Sequence, residues 1–289
     1  MQIVAEGLTF EYNRKSKNKV VALSDVSLTI NEGAFFGIIG HTGSGKSTFI
    51  QHIDGLIPVY KGKLTVGDID LSKGKKTDKK QLRTLRSKVG MVFQYPEYQL
   101  FAETVFDDVA FGYKNFNENA TIEEVKAAVY GALSLVGLGS DVANKSPFEL
   151  SGGQKRRVAI AGVIVTNPEI LVLDEPVAGL DPKGKRELME LLHYLHSETV
   201  KTVIIVSHDM DEVAENCTDV AVFSDGKVVM TGTPKEVFSK TDELLRLRLD
   251  VPVTGKIANE LKEVGVDLDT DFTTDDFVEK VAFAYKNAR

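Results

Sequence analysis

Cysteine is almost absent from this sequence, since Cys217 is the single one among 289 residues. One cysteine excludes an intrachain disulfide and a metal site built from several thiolates, and it fits a protein of a reducing compartment. Long apolar runs are missing too: the longest, residues 158–165, falls far short of the roughly 18 residues that a membrane-spanning helix needs. The N-terminal stretch has neither a basic nor an apolar region, so we expect no secretory signal and no bilayer crossing.

Positively charged residues are outnumbered by negatively charged ones. The chain has 35 Lys and Arg against 42 Asp and Glu, a net charge of -7. An acidic chain makes a poor nucleic-acid binder, because contacts from Lys and Arg to phosphate supply most of that affinity. The local exception is residues 72–88, where basic side chains surround Asp78. We interpret this basic segment as a solvated face, and contact with anionic lipid headgroups is the alternative.

What the sequence does contain is typical of a folded α/β protein. With 43% hydrophobic and 27% charged residues, the composition excludes intrinsic disorder and fibrous repeats, and the length suggests about two domains. Short apolar runs alternate with longer amphipathic stretches; the runs are residues 34–39, 89–93, 170–173 and 202–206. That alternation predicts a parallel sheet with crossover helices.

Three regions depart from the alternation. Residues 3–12 and 20–30 are β-rich runs joined by a polar loop, which predicts a hairpin-like β region. Within residues 104–138, apolar side chains recur every three or four positions and predict a helix with one buried face. The side chains in question are Ile122, Val125, Val129, Leu133 and Val136. Similar spacing returns in residues 241–289, where we predict a small C-terminal helical extension.

The segment GHTGSGKS at residues 40–47 matches the pattern G-x-x-x-x-G-K-[ST], and it follows a predicted strand and precedes a predicted helix. Its glycines let the backbone wrap an anion, while successive N–H groups and the positive helix end point at phosphate oxygens. Lys46 adds a mobile positive charge, and the hydroxyl of Ser47 is placed to bind Mg²⁺. The pattern therefore predicts a phosphate-binding loop.

A second apolar strand ends in two adjacent acids, Asp174 and Glu175. The first can face a magnesium ion beside Ser47. The second can hold and deprotonate a water aimed at the γ-phosphate, general-base work worth about 10²–10⁴ in rate. Capping of a helix N-terminus is the alternative interpretation, because Asp and Glu favour that position as well.

Residues 150–154, LSGGQ, open a predicted helix that continues to residue 165. Ser151 fits a helix N-cap, but each of the two glycines that follow costs about 1 kcal/mol inside a helix relative to alanine. They make sense where another molecule's phosphate must approach the backbone closely. If the two phosphate-binding surfaces cannot meet on one nucleotide, the working unit is a head-to-tail pair of such domains.

Taken in order, these elements resemble the nucleotide-binding subunit of an ABC transporter. The matching elements are the Walker A loop at 40–47, the Q-loop residue Gln94, the signature at 150–154, the Walker B acids Asp174 and Glu175, the D-loop at 178–181 and the switch residue His208. The resemblance covers residues 1–239, taken as an ATPase domain with a helical subdomain at about 95–165, and leaves 240–289 as the C-terminal extension. It implies an α/β, ABC-type P-loop NTPase core with an N-terminal antiparallel β region.

Within that superfamily, the segments IGHTGSGKST, FQYPEYQLF and LSGGQKRRVAIAGV look closest to the ATPases of energy-coupling factor (ECF) transporters. Such transporters import vitamins and trace metals, and PEYQLF resembles the second of their two paired ATPases. The family's C-terminal extension contributes to ATPase pairing. Val177 departs from the family pattern, in which Thr is usual, and leaves every catalytic position intact.

The resemblance implies a division of roles. Two ATP molecules lie between two paired subunits, each ATP held by one subunit's Walker residues and capped by the other's signature. Catalysis is expected from Glu175, His208, Lys46 and Gln94, and Mg²⁺ binding from Ser47, Gln94 and Asp174. The residues expected to bind ATP are Tyr12, Gly40, His41, Thr42, Gly43, Ser44, Gly45, Lys46, Ser47, Thr48, Ser151, Gly152, Gly153, Gln154 and Asp181. Tyr12 is expected to stack on adenine, and packing at a strand end is the alternative.

The implied partners are a second ATPase subunit, identical or related, a transmembrane coupling subunit and a separate membrane substrate-binding subunit, at the cytoplasmic face of the cell membrane. No nucleic acid is expected. The segment after Gln94 is expected to receive a helix of the coupling subunit, with Glu97 pairing a basic residue there. A cobalt/nickel-type ABC importer ATPase working as a homodimer, and a soluble ABC ATPase acting on nucleic acid or the ribosome, are the alternatives. The soluble class usually has two cassettes or a coiled-coil insertion, and neither is visible here.

Overall fold

The strands and helices are taken from a computed structural model that describes residues 1–287. The strands are β1 Ile3–Tyr12, β2 Val20–Ile30, β3 Phe35–Gly40, β4 Lys61–Val66, β5 Ile69–Asp70, β6 Val89–Val92, β7 Ile170–Asp174, β8 Thr202–Val206, β9 Asp219–Ser224 and β10 Lys227–Gly232. The helices are α1 Lys46–Ile53, α2 Lys79–Lys88, α3 Val105–Phe116, α4 Ile122–Leu135, α5 Gly152–Ile164, α6 Pro182–Glu198, α7 Met210–Asn216, α8 Pro234–Phe238, α9 Thr241–Arg246, α10 Val253–Glu263 and α11 Thr274–Asn287.

The first two strands join β4 and β5 in a four-stranded antiparallel sheet with the order β2-β1-β4-β5. Ile3 pairs with Ile30 on one side and with Val66 on the other. Side chains alternate between buried and accessible along much of β1, as expected for a sheet with one face packed on a core. The predicted antiparallel β region is confirmed.

A second sheet has six strands in the order β10-β9-β3-β8-β7-β6. Its five neighbouring strands from β9 to β6 run parallel, and β10 is antiparallel to β9. In open sheets of this kind, ligands bind at the carboxyl ends of the strands. That edge carries the carboxyl ends of the five parallel strands, at Gly40, Val92, Asp174, Val206 and Ser224.

The parallel strands are buried on both faces. Phe35 and Ile39 belong to the apolar cluster on one side of the sheet, and Phe36 and Ile38 to the cluster on the other, as the two-residue period of a strand requires. Helices α3 to α7 cover the first side, whereas α1 and the antiparallel sheet cover the second. The predicted α/β class is confirmed.

The insert between β6 and β7 contains two helices before the signature helix, α3 and α4, where the sequence predicted one. Thr121 starts α4 with a reciprocal capping box to Glu124. Ile122 was expected on the buried face but is 69% exposed, because it occupies the first turn, outside the packed stripe. The other four predicted positions, from Val125 to Val136, are buried.

After β10, the described residues contain the helices α8 to α11 joined by loops, of which the longest connects α10 to α11. Leu244 and Phe277 are buried, whereas Ile257, Val264 and Tyr285 stay exposed on the extension. Thr254 ties α10 down by donating its hydroxyl proton to the carbonyl of Phe272 at 2.7 Å. Within residues 1–287, no helix combines the length and the apolar character that crossing a membrane requires.

Candidate functional site

The loop between β3 and α1 leads directly into the N-terminus of α1. Gly45 precedes the first helical residue with φ of 104°, and no side chain caps this end of α1. A Cβ on Gly45 would lie 2.5 Å from the carbonyl oxygen of Ala22, so only glycine fits. The uncapped helix N-terminus is a site for an anion.

Lys46 holds its ammonium group against this loop. Its Nζ donates to the carbonyl oxygens of Gly40 at 2.6 Å and His41 at 3.1 Å. Burial lowers the pKa of Lys46, and the nearby carboxylates of Glu175 and Asp174 oppose that shift. Beside it, the hydroxyl of Ser44 is buried without a hydrogen-bond partner in the part of the chain described, as expected of a group positioned for a phosphate oxygen.

The two acids at the end of β7 are held differently. Asp174 accepts a hydrogen bond from Ser47, and burial raises the pKa of its carboxyl group. Glu175 adopts a left-handed φ of 51°, and its N–H donates to Val206 at 2.9 Å. Its Oε2 lies 2.6 Å from Nδ1 of His208. The helix-capping alternative for this acidic pair is wrong, because the next helix, α6, is capped by Asp181.

These segments surround one cavity of about 590 Å³. Its lining residues are Tyr12, Val20, Val21, Ala22, Thr42, Gly43, Ser44, Gly45, Lys46, Ser47, Thr48, Gln94, Asp174, Glu175 and His208. Tyr12 hydrogen-bonds Thr48 through its hydroxyl at 3.2 Å, and the edge-to-face contact with Phe10 fixes its ring. The ring remains 40% exposed, so it can serve as a stacking platform at the cavity mouth.

The signature residues do not line this cavity. Ser151 caps α5 through a reciprocal box with Gln154. Apart from its chain neighbours and the backbone of α5, a Cβ at Gly152 or Gly153 would meet no atom of residues 1–287 within 4 Å, so packing does not demand glycine at either position.

Three other predicted ATP-binding residues, Asp181, Gly40 and His41, also lie outside the cavity. The Asp181 side chain accepts the N–H of Gly184 at 2.9 Å and so caps α6. Gly40 ends β3, and the His41 ring lies 3.9 Å from a carboxylate oxygen of Asp225 in a separate cleft. Within one chain, these residues serve the fold.

Glu97 points inward, contrary to expectation. Its carboxylate receives two hydrogen bonds from Arg156, at 3.1 and 3.2 Å, because the turn that holds it packs on α5. An acid already paired within its own chain is not free for a partner's cation. The expected role of Glu97 is therefore replaced by an internal one.

Sequence reasoning missed two charged residues near the site. Arg156 is 5% exposed and Asp54 is 8% exposed, burial that charged side chains tolerate only with partners or a shifted pKa. Asp54 ends α1, and burial raises its pKa to about 7, with nearby Arg86 acting in the opposite direction. The position of Arg156 two residues after the signature was a visible signal, but no local pattern marked Asp54.

The raised pKa of Asp54 predicts a pH-dependent stability. The folded value of about 7 lies above the ordinary value of 3.8, so its contribution is complete below pH 4 and is lost as pH rises through 7. Urea unfolding should give a free energy about 2 kcal/mol lower at pH 8 than at pH 5.5 from this group. Asp54→Asn should remove that part of the slope.

Asp68→Asn is the control for Asp54→Asn, since Asp68 is exposed in the turn between β4 and β5. It should leave the pH dependence as in the wild type. An Asp54→Asn variant that keeps the full wild-type slope would show that Asp54 does not carry it.

Comparison with known proteins places the chain in one family. The sequence model of the ABC transporter family matches residues 23–178. The energy-coupling factor transporter ATP-binding protein EcfA2 of Symbiobacterium thermophilum is 49% identical, covering 96% of this chain and 93% of its own length. The protein of the same name in Caldanaerobacter subterraneus subsp. tengcongensis is 48% identical over 95% of this chain and 94% of its own.

Solved structures agree with the fold. The structure of cbiO1 from Clostridium perfringens, part of the ABC transporter complex cbiONQ, has a TM-score of 0.73 at 36% identity and covers 89% of this chain and 98% of its own. An ATP-binding cassette solved as a dimer in a post-hydrolysis state with ADP and Pi has a TM-score of 0.70 at 31% identity, covering 80% and 98%.

Proposed function

This chain belongs to the ABC transporter family, among the ATP-binding proteins of energy-coupling factor transporters, and we propose that it powers uptake of vitamins or other micronutrients through a membrane partner. It is an ATP-binding subunit and an ATP-hydrolysing translocase component. The observation that carries the proposal is the cavity at the sheet edge, where Tyr12, the loop at 42–48, Gln94, the two acids and His208 meet.

We assign ATP binding to the loop and to Tyr12. The triphosphate lies on the N–H groups at the start of α1, where the helix dipole favours negative charge. Lys46 then exchanges the carbonyls of Gly40 and His41 for phosphate oxygens, and the buried Ser44 hydroxyl gains an acceptor. Tyr12 stacks on adenine, a contact worth about 1–3 kcal/mol.

We assign ATP hydrolysis to Glu175 and His208. Glu175 orients and deprotonates the attacking water, and its left-handed backbone, fixed by Val206, aims the carboxylate at the cavity. The 2.6 Å contact to His208 orders this carboxylate before substrate binds, and His208 turns toward the γ-phosphate when ATP is present.

Mg²⁺ suits the oxygen donors at this end of β7. The Asp174 carboxylate, the Ser47 hydroxyl and the Gln94 amide oxygen are hard ligands of the kind that Mg²⁺ prefers, and all three residues line the cavity. When bound, the ion neutralises phosphate charge during transfer. The Asp174 carboxylate, whose pKa is raised by partial burial, would pair with such an ion.

We propose that the missing half of each site comes from a second ATPase subunit. The open space around Gly152 and Gly153 supports this, because glycines that the fold does not need fit a surface shaped for another chain's ATP. The exposed apolar residues of the extension, among them Val264 and Phe283, fit the proposed division into residues 1–239 and a pairing extension at 240–289.

We place the membrane partner in a groove of about 270 Å³ between α2 and β6 on one side and α3 and α5 on the other. Met91, Phe93, Phe116 and Val163 line its apolar walls. The groove adjoins Gln94 in sequence, so a helix seated there reaches the cavity through the Q-loop. We propose that this side of the chain faces the membrane at its cytoplasmic surface.

Purification from membranes tests the function. Tagged chain extracted from solubilised membranes should carry a membrane subunit and a distinct second ATPase, and the complex should hydrolyse ATP. A homodimer with a membrane subunit would instead support the cobalt/nickel-type importer, which the similarity to cbiO1 favours at a lower identity than the EcfA2 relatives. RNA without a membrane subunit would overturn the proposal.

A further inference from the structure

We propose that Arg156 is a positioning residue that joins three functional segments of this ATPase: the turn after Gln94, the signature helix and the turn after Glu175. The inference rests on the proposed function, since it assigns the link between partner docking and hydrolysis to one side chain. Arg156 lies on α5, one helical turn beyond the signature glycines.

The guanidinium of Arg156 makes five hydrogen bonds to three residues. It donates from Nε and Nη2 to the two carboxylate oxygens of Glu97, at 3.2 and 3.1 Å. Nη1 donates to the carbonyl of Pro176 at 2.9 Å, and both Nη atoms reach the carbonyl of Ala178 at 3.2–3.3 Å. Five contacts match the five N–H donors of arginine, and lysine, with three donors, cannot reproduce this planar fork.

Each contact belongs to a segment with a role in the cycle. Glu97 lies in the 3-10 turn Pro96–Gln99, three residues after Gln94. Pro176 follows Glu175 directly, and Ala178 is the first residue of the D-loop. The same two turns also meet at Gly179, where a Cβ would lie 3.7 Å from the ring of Tyr95. A shift of the Gln94 segment therefore moves the signature and the D-loop together.

Burial makes the link stiff. The Arg156 side chain is 6% exposed and that of Glu97 is 19% exposed, so water replaces few of these hydrogen bonds. A bidentate arginine–carboxylate pair also fixes orientation as well as distance. The ATP-binding loop at 40–47 contributes no atom to this network, so the network positions the signature without touching the chain's own nucleotide.

The experiment uses the purified transporter complex with Glu97→Gln and Arg156→Lys variants. Both should lower kcat for ATP at least tenfold and leave KM within twofold of the wild type, because ATP binding is untouched while the signature and D-loop lose their alignment. Arg156→Met should be worse than Arg156→Lys, since it removes all donors. Thermal melting of each variant records how much folded protein remains.

Two control variants carry the same types of substitution, Glu→Gln and Arg→Lys, at other positions. Glu169→Gln removes an ion pair to Lys88 of 3.0 Å, and Arg157→Lys changes a neighbour that donates to Val136; both should keep wild-type kcat. The inference is overturned if Glu97→Gln and Arg156→Lys keep kcat within twofold, or if kcat falls only in proportion to folded protein. An inactive wild-type complex would instead contradict the proposed function.

Discussion

Replacing Glu175 by Gln should leave ATP binding intact and lower ATP turnover by a factor of about 10²–10⁴. The amide keeps the size of the carboxylate and can still hold a water, but it cannot accept the proton. Because the Walker A loop is unchanged, ATP still binds, and it accumulates unhydrolysed between the two paired ATPase subunits. Steady-state phosphate release and equilibrium binding of ATP, measured on the same complex, separate the two effects.

Glu190→Gln is the matched control, since Glu190 is exposed on α6, away from the cavity. It should hydrolyse ATP at the wild-type rate. Turnover of Glu175→Gln within a few-fold of the wild type would reject Glu175 as the base. His208→Ala adds a further check: it removes the 2.6 Å contact, and it should lower turnover while ATP still binds.

Much of the fold was predictable because its strands have strong local patterns. The bounds of β1, β2 and β8 agree with the β-rich and apolar runs in the sequence. By contrast, β4 was not predicted, since only Leu64 and Val66 of its six residues are buried. Its structure depends on pairing with β1, a distant contact that no local window contains.

The basic segment at residues 72–88 shows the same limit of local patterns. Its one acid, Asp78, caps α2 by accepting the N–H of Lys80 at 3.1 Å, and Leu85 is the single buried residue of that helix. The interpretation as a solvated face fits this exposure. The helix itself was not predicted, because one buried residue leaves almost no apolar periodicity to detect.

The candidate site, too, was predictable only where the sequence carries a local pattern. Motifs identified the phosphate loop, both acids, Gln94 and His208, since each is a short pattern whose chemistry depends on neighbours in sequence, and the fold brings them to one cavity. The bonds of Arg156 join residues far apart in the chain. No local pattern revealed them, so Glu97 was expected to face a partner. The structure instead pairs it with the buried guanidinium of Arg156.

The signature at 150–154 is predicted to bind phosphate, although the chain already has a phosphate loop at 40–47 and the signature does not line its cavity. Ser151 already caps α5, and alanine at Gly152 or Gly153 would fit the chain's own structure. Glycine at these positions lowers helix stability by up to about 1 kcal/mol each. That loss is explained if a partner's ATP must touch the backbone there.

Gly153→Asp should therefore separate folding from function. An acid in the first turn of α5 interacts favourably with the helix dipole, by about 0.3–1 kcal/mol, so the chain should fold as well as the wild type. The same carboxylate placed against the γ-phosphate of a partner's ATP repels it. ATPase activity of the complex should fall at least about 100-fold, equivalent to about 2.7 kcal/mol, while the isolated chain binds ATP normally.

Gly131→Asp is the matched control for this prediction, because Gly131 is a helical glycine in α4 with equally open surroundings. It should retain full ATPase activity despite the same added charge. If a complex carrying the Gly153→Asp change in every ATPase subunit hydrolyses ATP as fast as the Gly131→Asp complex, no second chain completes the site. Catalysis would then be confined to the cavity of a single subunit, and the open glycines of α5 would need another explanation.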